Sequence, residues 1–291
     1  MDLLSLRYFQ AVARREHLSR AAEDLRVAQP SLSRSIARLE ADLGVPLFDR
    51  TGRALRLNRF GAAFLRRVDR ALRELDDART ELTDAAGLEH GSVSVAAETL
   101  LTLTGLLTRF RTEQPGVDVR LFQSSAATMT EQLRRGEVDL CFASQPLGDP
   151  AVVTEELLRE EVLLAVPPGH PLASRERTDL ASIADEPIIA TRPGFWQRTL
   201  TDRLFAEAGL TPDITCESDE PAATQDLISA GIGIGLVPAM SRRAAGHAPV
   251  AWLHLDAENC ERSLDLARRG DAYLSVAARH FRRTAIDHFR T

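Results

Sequence analysis

Lysine is absent from this chain: all 36 basic side chains are arginine. That is compositional, the mark of a GC-rich coding sequence, and carries no mechanism. Cysteine is scarce. Cys141, Cys216 and Cys260 are odd in number and far apart, which excludes a disulfide framework and a zinc spacing. Cys141, in an apolar stretch, reads as a core residue, while Cys216 and Cys260 read as more exposed, and oxidation sensing stays open as a minor reading. Long apolar runs are missing as well. The longest uncharged run, Leu227–Ser241, has 15 residues and is broken by three glycines and a proline, where a bilayer span needs about 20 apolar residues. Asp2 and Arg7 interrupt the amino end before an apolar signal segment can form, so a cytoplasmic protein without membrane attachment is expected. Catalytic motifs are missing too. There is no P-loop and no nucleophile elbow. Gly231-Ile232-Gly233-Ile234-Gly235 lacks dinucleotide-fingerprint spacing, and Pro238 follows at once. The seven histidines, among them His247, His254, His280 and His288, are scattered without a metal spacing. No cofactor, no metal and no enzymatic activity are expected.

What is present is a globular chain of 291 residues, 44% hydrophobic and 27% charged, long enough for about two domains. Its charge is uneven. Residues 1–60 carry eleven arginines against seven acidic residues, and residues 91–291 carry twenty against twenty-eight. A basic amino-terminal piece on an acidic body suggests that only the small piece meets a polyanion.

In the first sixty residues, Leu4, Tyr8, Phe9 and Val12 recur at helical spacing, so Leu3–Arg15 reads as an amphipathic helix. Ser19 is the expected cap of a short helix, Arg20–Leu25. A third helix opens at Gln29-Pro30-Ser31, with Pro30 in the first turn where its missing N–H costs least, and ends at Gly44. Leu32, Ile36, Leu39 and Leu43 stripe one face. The other face offers Gln29, Ser31, Ser33, Arg34 and Arg38. Glutamine can pair with adenine and arginine with guanine in a major groove, and serine hydroxyls can donate to phosphate. Leu47–Leu57 reads as a strand pair around Thr51-Gly52, carrying Arg50, Arg53 and Arg56, and arginines suit a narrow minor groove.

Residues 6–61 resemble the amino-terminal domain of LysR-type transcriptional regulators. The matching features are Leu6-Arg7-Tyr8-Phe9, Ala21-Ala22, Gln29-Pro30-Ser31-Leu32-Ser33, Ile36, Leu39-Glu40, Leu43-Gly44, Leu47-Phe48, Arg50 and Thr51-Gly52-Arg53. The resemblance implies a winged helix-turn-helix that binds DNA as a dimer. Gln29, Pro30, Ser33 and Arg34 match recognition-helix positions, and Arg50 and Arg53 match the wing. With Ser31 and Arg38 these form the expected DNA-binding set. Asn58-Arg59-Phe60 departs from the family's usual Thr and small residue, but Asn caps a helix as well as Thr.

From Arg59 to about Leu88, Leu65, Val68, Leu72, Leu75, Leu82 and Ala86 fit an a/d register, with Arg79 as the misfit. This predicts a two-stranded coiled coil, in agreement with the dimerisation helix the resemblance implies. A hinge is expected at Glu89-His90-Gly91. Beyond it, strands alternate with helices, the signature of βαβ units and a parallel sheet. Strands are expected at Val93–Val95, Val117–Phe122, Val138–Ala143, Leu163–Val166, Ile188–Ala190, Ile214–Glu217, Ile234–Val237 and Leu264–Ala267. The intervening helices are Leu100–Thr112, Thr128–Arg135, Trp196–Ala208, Ala222–Ala230 and Ala272–Phe289.

This region resembles the effector-binding part of the same family, on Gly136 with Val138-Asp139-Leu140, Pro168-Gly169-His170-Pro171-Leu172 and Leu236-Val237-Pro238. The resemblance implies an α/β effector-binding region of two periplasmic-binding-protein-like subdomains, preceded by the mostly α-helical winged head and the long linker helix. The expected division is 1–58, 59–90 and 91–291, the last comprising subdomain I (91–161 and 268–291) and subdomain II (162–267). Ligands bind outside strand carboxyl ends, where helix starts offer free N–H groups. Thr99, Leu100, Ser125, Ser144, Arg192, Trp196 and Glu220 fall at such places and are the expected effector contacts. Arg192 is placed to neutralise a carboxylate, while Glu98 and Glu220 disfavour a purely anionic ligand. The expected partners are double-stranded promoter DNA, a small-molecule effector, a second copy through the linker helix in a dimer of dimers, and RNA polymerase. An enzyme with a DNA-binding head and an exported solute-binding protein are the competing readings.

Overall fold

The computed structural model describes residues 1–51, 54–86, 91–243 and 248–290. The chain forms two compact units, Met1–Thr83 and Asp84–Thr291.

In the first unit, α1 (Leu3–Arg15) is capped by Asp2, whose Oδ1 accepts from Ser5 N at 2.7 Å. The second helix, α2 (Leu18–Asp24), starts earlier than expected, because its cap is His17 and not Ser19. His17 is extended and its Nδ1 accepts from Arg20 N at 3.4 Å, which leaves Ser19 inside the first turn. Next, α3 (Gln29–Leu43) carries Pro30 in its first turn and stops at Gly44, whose φ of 73° is left-handed. Strands β1 (Phe48–Thr51) and β2 (Ala54–Leu57) pair antiparallel, Phe48 opposite Leu57. The tip residues Gly52 and Arg53 lie outside the described residues. Phe9, Val12, Leu32, Ile36, Leu39, Leu47 and Phe48 form the core, and Phe9 meets Phe48 edge-on at 5.7 Å.

The long helix α4 (Arg59–Ala86) is capped by Asn58, whose Oδ1 accepts from Phe60 N and Gly61 N, both at 2.9 Å. Gly61 lets α4 approach β1: a Cβ there would lie 2.1 Å from Leu47 O. The apolar stripe expected to be one seam is divided. Val68 and Leu72, with Leu65 beside them, complete the head's own core, whereas Leu75 and Leu82 are 52% and 72% exposed. Of the expected hinge, Glu89 and His90 lie outside the described residues, and Gly91 adopts a left-handed φ of 81°.

The second unit begins with β3 (Ser92–Ala97), a 3-10 turn at Leu101–Leu103, α5 (Thr104–Glu113), β4 (Asp118–Gln123), α6 (Ala126–Arg135) and β5 (Leu140–Ala143). The 3-10 turn replaces the first turn of the helix expected from Leu100. Then follow β6 (Val152–Val166), β7 (Arg177–Thr178), β8 (Pro187–Ala190), α7 (Trp196–Glu207), β9 (Asp213–Glu217), α8 (Pro221–Ser229), β10 (Gly235–Pro238), β11 (Ala251–Leu255), β12 (Glu261–Arg269) and α9 (Val276–Phe289). The final helix starts at its Ser275 cap, later than the expected Ala272.

The expected parallel pairing holds for β4-β3-β5 and for β8-β9. The remainder is mostly antiparallel, because two long strands tie the halves together. Residues 152–161 of β6 pair with β12, and 162–166 pair with β10 and β11. Two cores result. Val93, Phe110, Phe142, Leu264, Leu266 and Phe281 belong to the first. Val162, Leu164, Trp196, Phe205, Leu253 and Cys260 belong to the second. The return crossing therefore falls at residues 260–261, ahead of the 267–268 boundary expected from the sequence, because Leu264 and Leu266 point into the first core. Gly233 has a packing role: a Cβ there would lie 2.5 Å from Pro187 O. Among the described residues no helix is long and apolar enough to cross a membrane.

Candidate DNA interface and ligand cleft

Burial of Leu32, Ile36 and Leu39 on one side of α3 turns its polar side outward. Gln29, Pro30, Ser31, Arg34 and Arg38 are exposed and Ser33 is half-buried. Arg34 Nε donates within its own turn, to Pro30 O at 3.3 Å. Arg38 donates to Asp2 Oδ2 at 3.2 Å. Ser5's backbone N–H, more than Arg38, holds the Asp2 carboxyl below its ordinary value. The β1–β2 hairpin is anchored to α3 by Glu40, whose Oε1 accepts from Leu47 N at 2.8 Å and Phe48 N at 3.3 Å. Glu16 likewise accepts from Leu57 N at 2.8 Å. The backbone of Arg50 pairs with Leu55 and Arg56 is exposed, so the hairpin that Glu40 ties to α3 carries an exposed arginine. Arg53 lies outside the described residues.

In the second unit, a cavity of about 630 Å³ lies where the two cores meet, lined by Glu98, Thr99, Thr102, Trp196, Gln197 and Asp219 among others. An open groove of about 1120 Å³ continues along α5 and includes Thr99, Leu100, Arg111, Arg192 and Glu220. Thr99 thus faces both, and its hydroxyl is buried without a hydrogen-bond partner among the described residues. Leu100, Arg192 and Glu220 line only the groove, and Trp196 lines only the cavity.

Three expected contacts are otherwise engaged. Ser125 caps α6, accepting from Thr128 N at 3.4 Å, and lines neither space. Ser144 lines neither as well, since its Oγ accepts from Arg262 Nε at 2.8 Å. Arg192 is tied to Asp219 through Nε and, at 3.0 Å, through its backbone N, so its charge is already balanced.

Two of the charged residues at the cleft are buried. Glu98 is 4% exposed and accepts from Ser144 N at 2.8 Å, Gln145 Nε2 at 2.7 Å and Trp196 N at 3.0 Å. Burial pushes its carboxyl above the ordinary range, against those three donors and Arg262. Arg262, 2% exposed, donates to Ser144 and Thr102, faces Glu160 at 3.5 Å and stacks on Trp196 at 5.0 Å. Burial lowers its pKa, while Glu160 and Glu98 oppose that. Sequence reasoning missed Arg262. It lies 118 residues from Ser144 on a strand whose inward alternation was the only signal.

Cys141 is buried, and burial drives its thiol well up. Cys260, expected to be more exposed, is buried too, because it faces the second core, and its thiol is pushed up to about 11. Among the described residues no cluster of His, Cys, Asp and Glu fits a metal.

A polar helix face with an arginine-bearing hairpin tied to its helix, joined in one chain to an α/β body with a cleft, defines a ligand-linked DNA-reading protein. The family profile described as "Bacterial regulatory helix-turn-helix protein, lysR family" matches residues 3–62, and "LysR substrate binding domain" matches residues 86–290. The chain is 35% identical over 99% of its length to the uncharacterised HTH-type transcriptional regulator YybE of Bacillus subtilis (strain 168), of which 99% is covered. It is 31% identical to the transcriptional dual regulator GltC of the same organism, over 82% of this chain and 81% of that one. The solved structure of full-length CbnR complexed with its target DNA is similar at TM-score 0.63 and 26% identity, over 100% of this chain and 99% of that one. The chain belongs to the LysR family of transcriptional regulators.

Proposed function

We propose that this regulator reads promoter DNA with Gln29, Pro30, Ser31, Ser33, Arg34 and Arg38 of α3 in the major groove, steadied by Arg50 and Arg53 of the hairpin. The observation that carries this reading is the division of α3 into a buried apolar stripe and an exposed face of amide, hydroxyl and guanidinium groups. Its working parts are the head at 1–58, the connecting helix at 59–90 and the effector-binding body at 91–291. Two copies pair through the connecting helix, giving reading heads at fixed separation for a two-fold operator. Pairs then associate as a dimer of dimers that meets RNA polymerase in the cytoplasm.

Thr99, Leu100, Trp196 and Glu220 contact the effector. Ligand favours one arrangement of the two cores, and this population shift changes how the assembly spaces its heads. The cleft binds without turning its ligand over. The deciding experiment is titration of the full chain onto the intergenic DNA beside its own gene and onto random duplex, across a salt series. Preference for the intergenic site is expected. Equal affinity for both at every salt concentration would sink the proposal.

A further inference from the structure

Glu98 lines the cavity at a point where N–H donors from two distant segments converge. It follows β3, and its acceptor oxygens meet the first N–H of α7, the N–H of Ser144 after β5 and the Gln145 amide. α7 needs such a partner, since its N-cap residue Phe195 makes no side-chain hydrogen bond. Backbone N–H groups converging from a strand end and a helix start form an anion receptacle. Here the three contacts all donate to the Glu98 carboxyl, the pattern an ionised carboxylate takes, while burial works against its charge.

The nearby cation is also committed. Arg262 is held by Ser144, Thr102 and Glu160 and by the face of Trp196. Among the described residues lining the 630 Å³ cavity there is no arginine, its one histidine, His288, is held toward the neutral form by burial and by Arg109, and its second acid, Asp219, is balanced by Arg192 from the groove. The remaining wall joins apolar Leu101, Phe195, Val237 and Met240 to hydroxyls, including the buried, unpartnered one of Thr99.

Resting on the ligand-responsive reading above, we propose that Glu98 is a tethered anion occupying the cleft's carboxylate receptacle. The effector is therefore an uncharged or cationic molecule with an apolar body and a hydrogen-bond donor. A second carboxylate beside this buried one would meet like-charge repulsion at low dielectric.

Replacing Glu98 by Ala removes a fragment with the shape and charge of acetate. Acetate, against chloride at equal ionic strength, is therefore the probe, and the readout is the thermal midpoint of the full chain. Acetate is expected to raise the midpoint of Glu98→Ala by about 3 °C or more while wild type moves by less than about 1 °C. Glu98→Gln, which fills the receptacle, stays unresponsive. An acetate shift in Glu98→Ala no larger than in wild type, or equal shifts in the two variants, overturns the proposal. If Glu98→Ala does not accumulate folded, refolding yield in acetate against chloride reads the same contrast, and failure in both salts counts against it.

Ligand class is read on wild type with 2-phenylethylamine and 3-phenylpropionate. A larger midpoint rise with the amine is expected, and an equal or larger rise with the carboxylate overturns the assignment. Wild-type preference for intergenic DNA, measured in parallel, separates the readings. If that preference persists while the rescue fails, only the present inference falls.

Discussion

Arg34 and Arg38 lie one turn apart on α3 yet are held differently. Arg34 donates to the carbonyl of its own turn, whereas Arg38 is bridged to Asp2. Arg34→Ala should therefore leave the thermal midpoint within about 1 °C of wild type. It should weaken site-specific DNA binding by about 1–3 kcal/mol, the value of a bidentate base contact, measured by fluorescence anisotropy at fixed salt. A loss shared equally by random duplex would assign Arg34 to phosphate instead. Glu98 supplies the pH test. Its folded pKa is raised by burial, so the folded chain holds this proton more tightly than the unfolded one. Stability from Glu98 is fully present below the ordinary carboxylate value and is lost as pH rises through the raised one. Urea midpoints from about pH 4.5 to 7.5 should show wild type gaining on Glu98→Gln as pH falls. A pH-independent difference would remove the burial account.

Among elements, α4 serves two surfaces with one stripe. Its first turns close the head's core, and beyond Leu72 the same register leaves Leu75 and Leu82 exposed a heptad apart. Leu82→Glu should lower the sedimentation coefficient toward that of a monomer without changing helix content by circular dichroism. At the other end, Gly61→Ala should lower the midpoint by several degrees, since a Cβ would overlap the Leu47 carbonyl. The helices α1, α3 and α4 were legible because their periodicity, Pro30, Gly44 and Asn58 all point the same way. The long strand β6 was legible only over its last residues. Thr154-Glu155-Glu156-Leu157-Leu158-Arg159-Glu160-Glu161 is rich in helix formers, and only pairing with β12, a hundred residues away, makes it a strand. The cleft divides likewise: Thr99 and Trp196 follow from strand-end logic, but the bonds that engage Ser144 and Arg192 join distant segments and leave no local pattern.

For the whole molecule, net charge is −6 while the head carries a surplus of basic residues. Affinity for duplex should fall steeply with salt, linearly on logarithmic axes, and losing one head arginine that touches phosphate should reduce that slope by about one unit. A flat dependence would exclude phosphate neutralisation by the head. The two cores also differ in how the chain completes them. The second is made of one contiguous stretch, 162–260, set inside the first, whose closing pieces β12 and α9 come last. As synthesis proceeds from the amino end, the inserted lobe is complete on the ribosome while its host still lacks a central strand. Truncation after residue 260 should thus yield two protease-resistant fragments, the amino-terminal head and the inner lobe, with cleavage in the host lobe's residues 91–161.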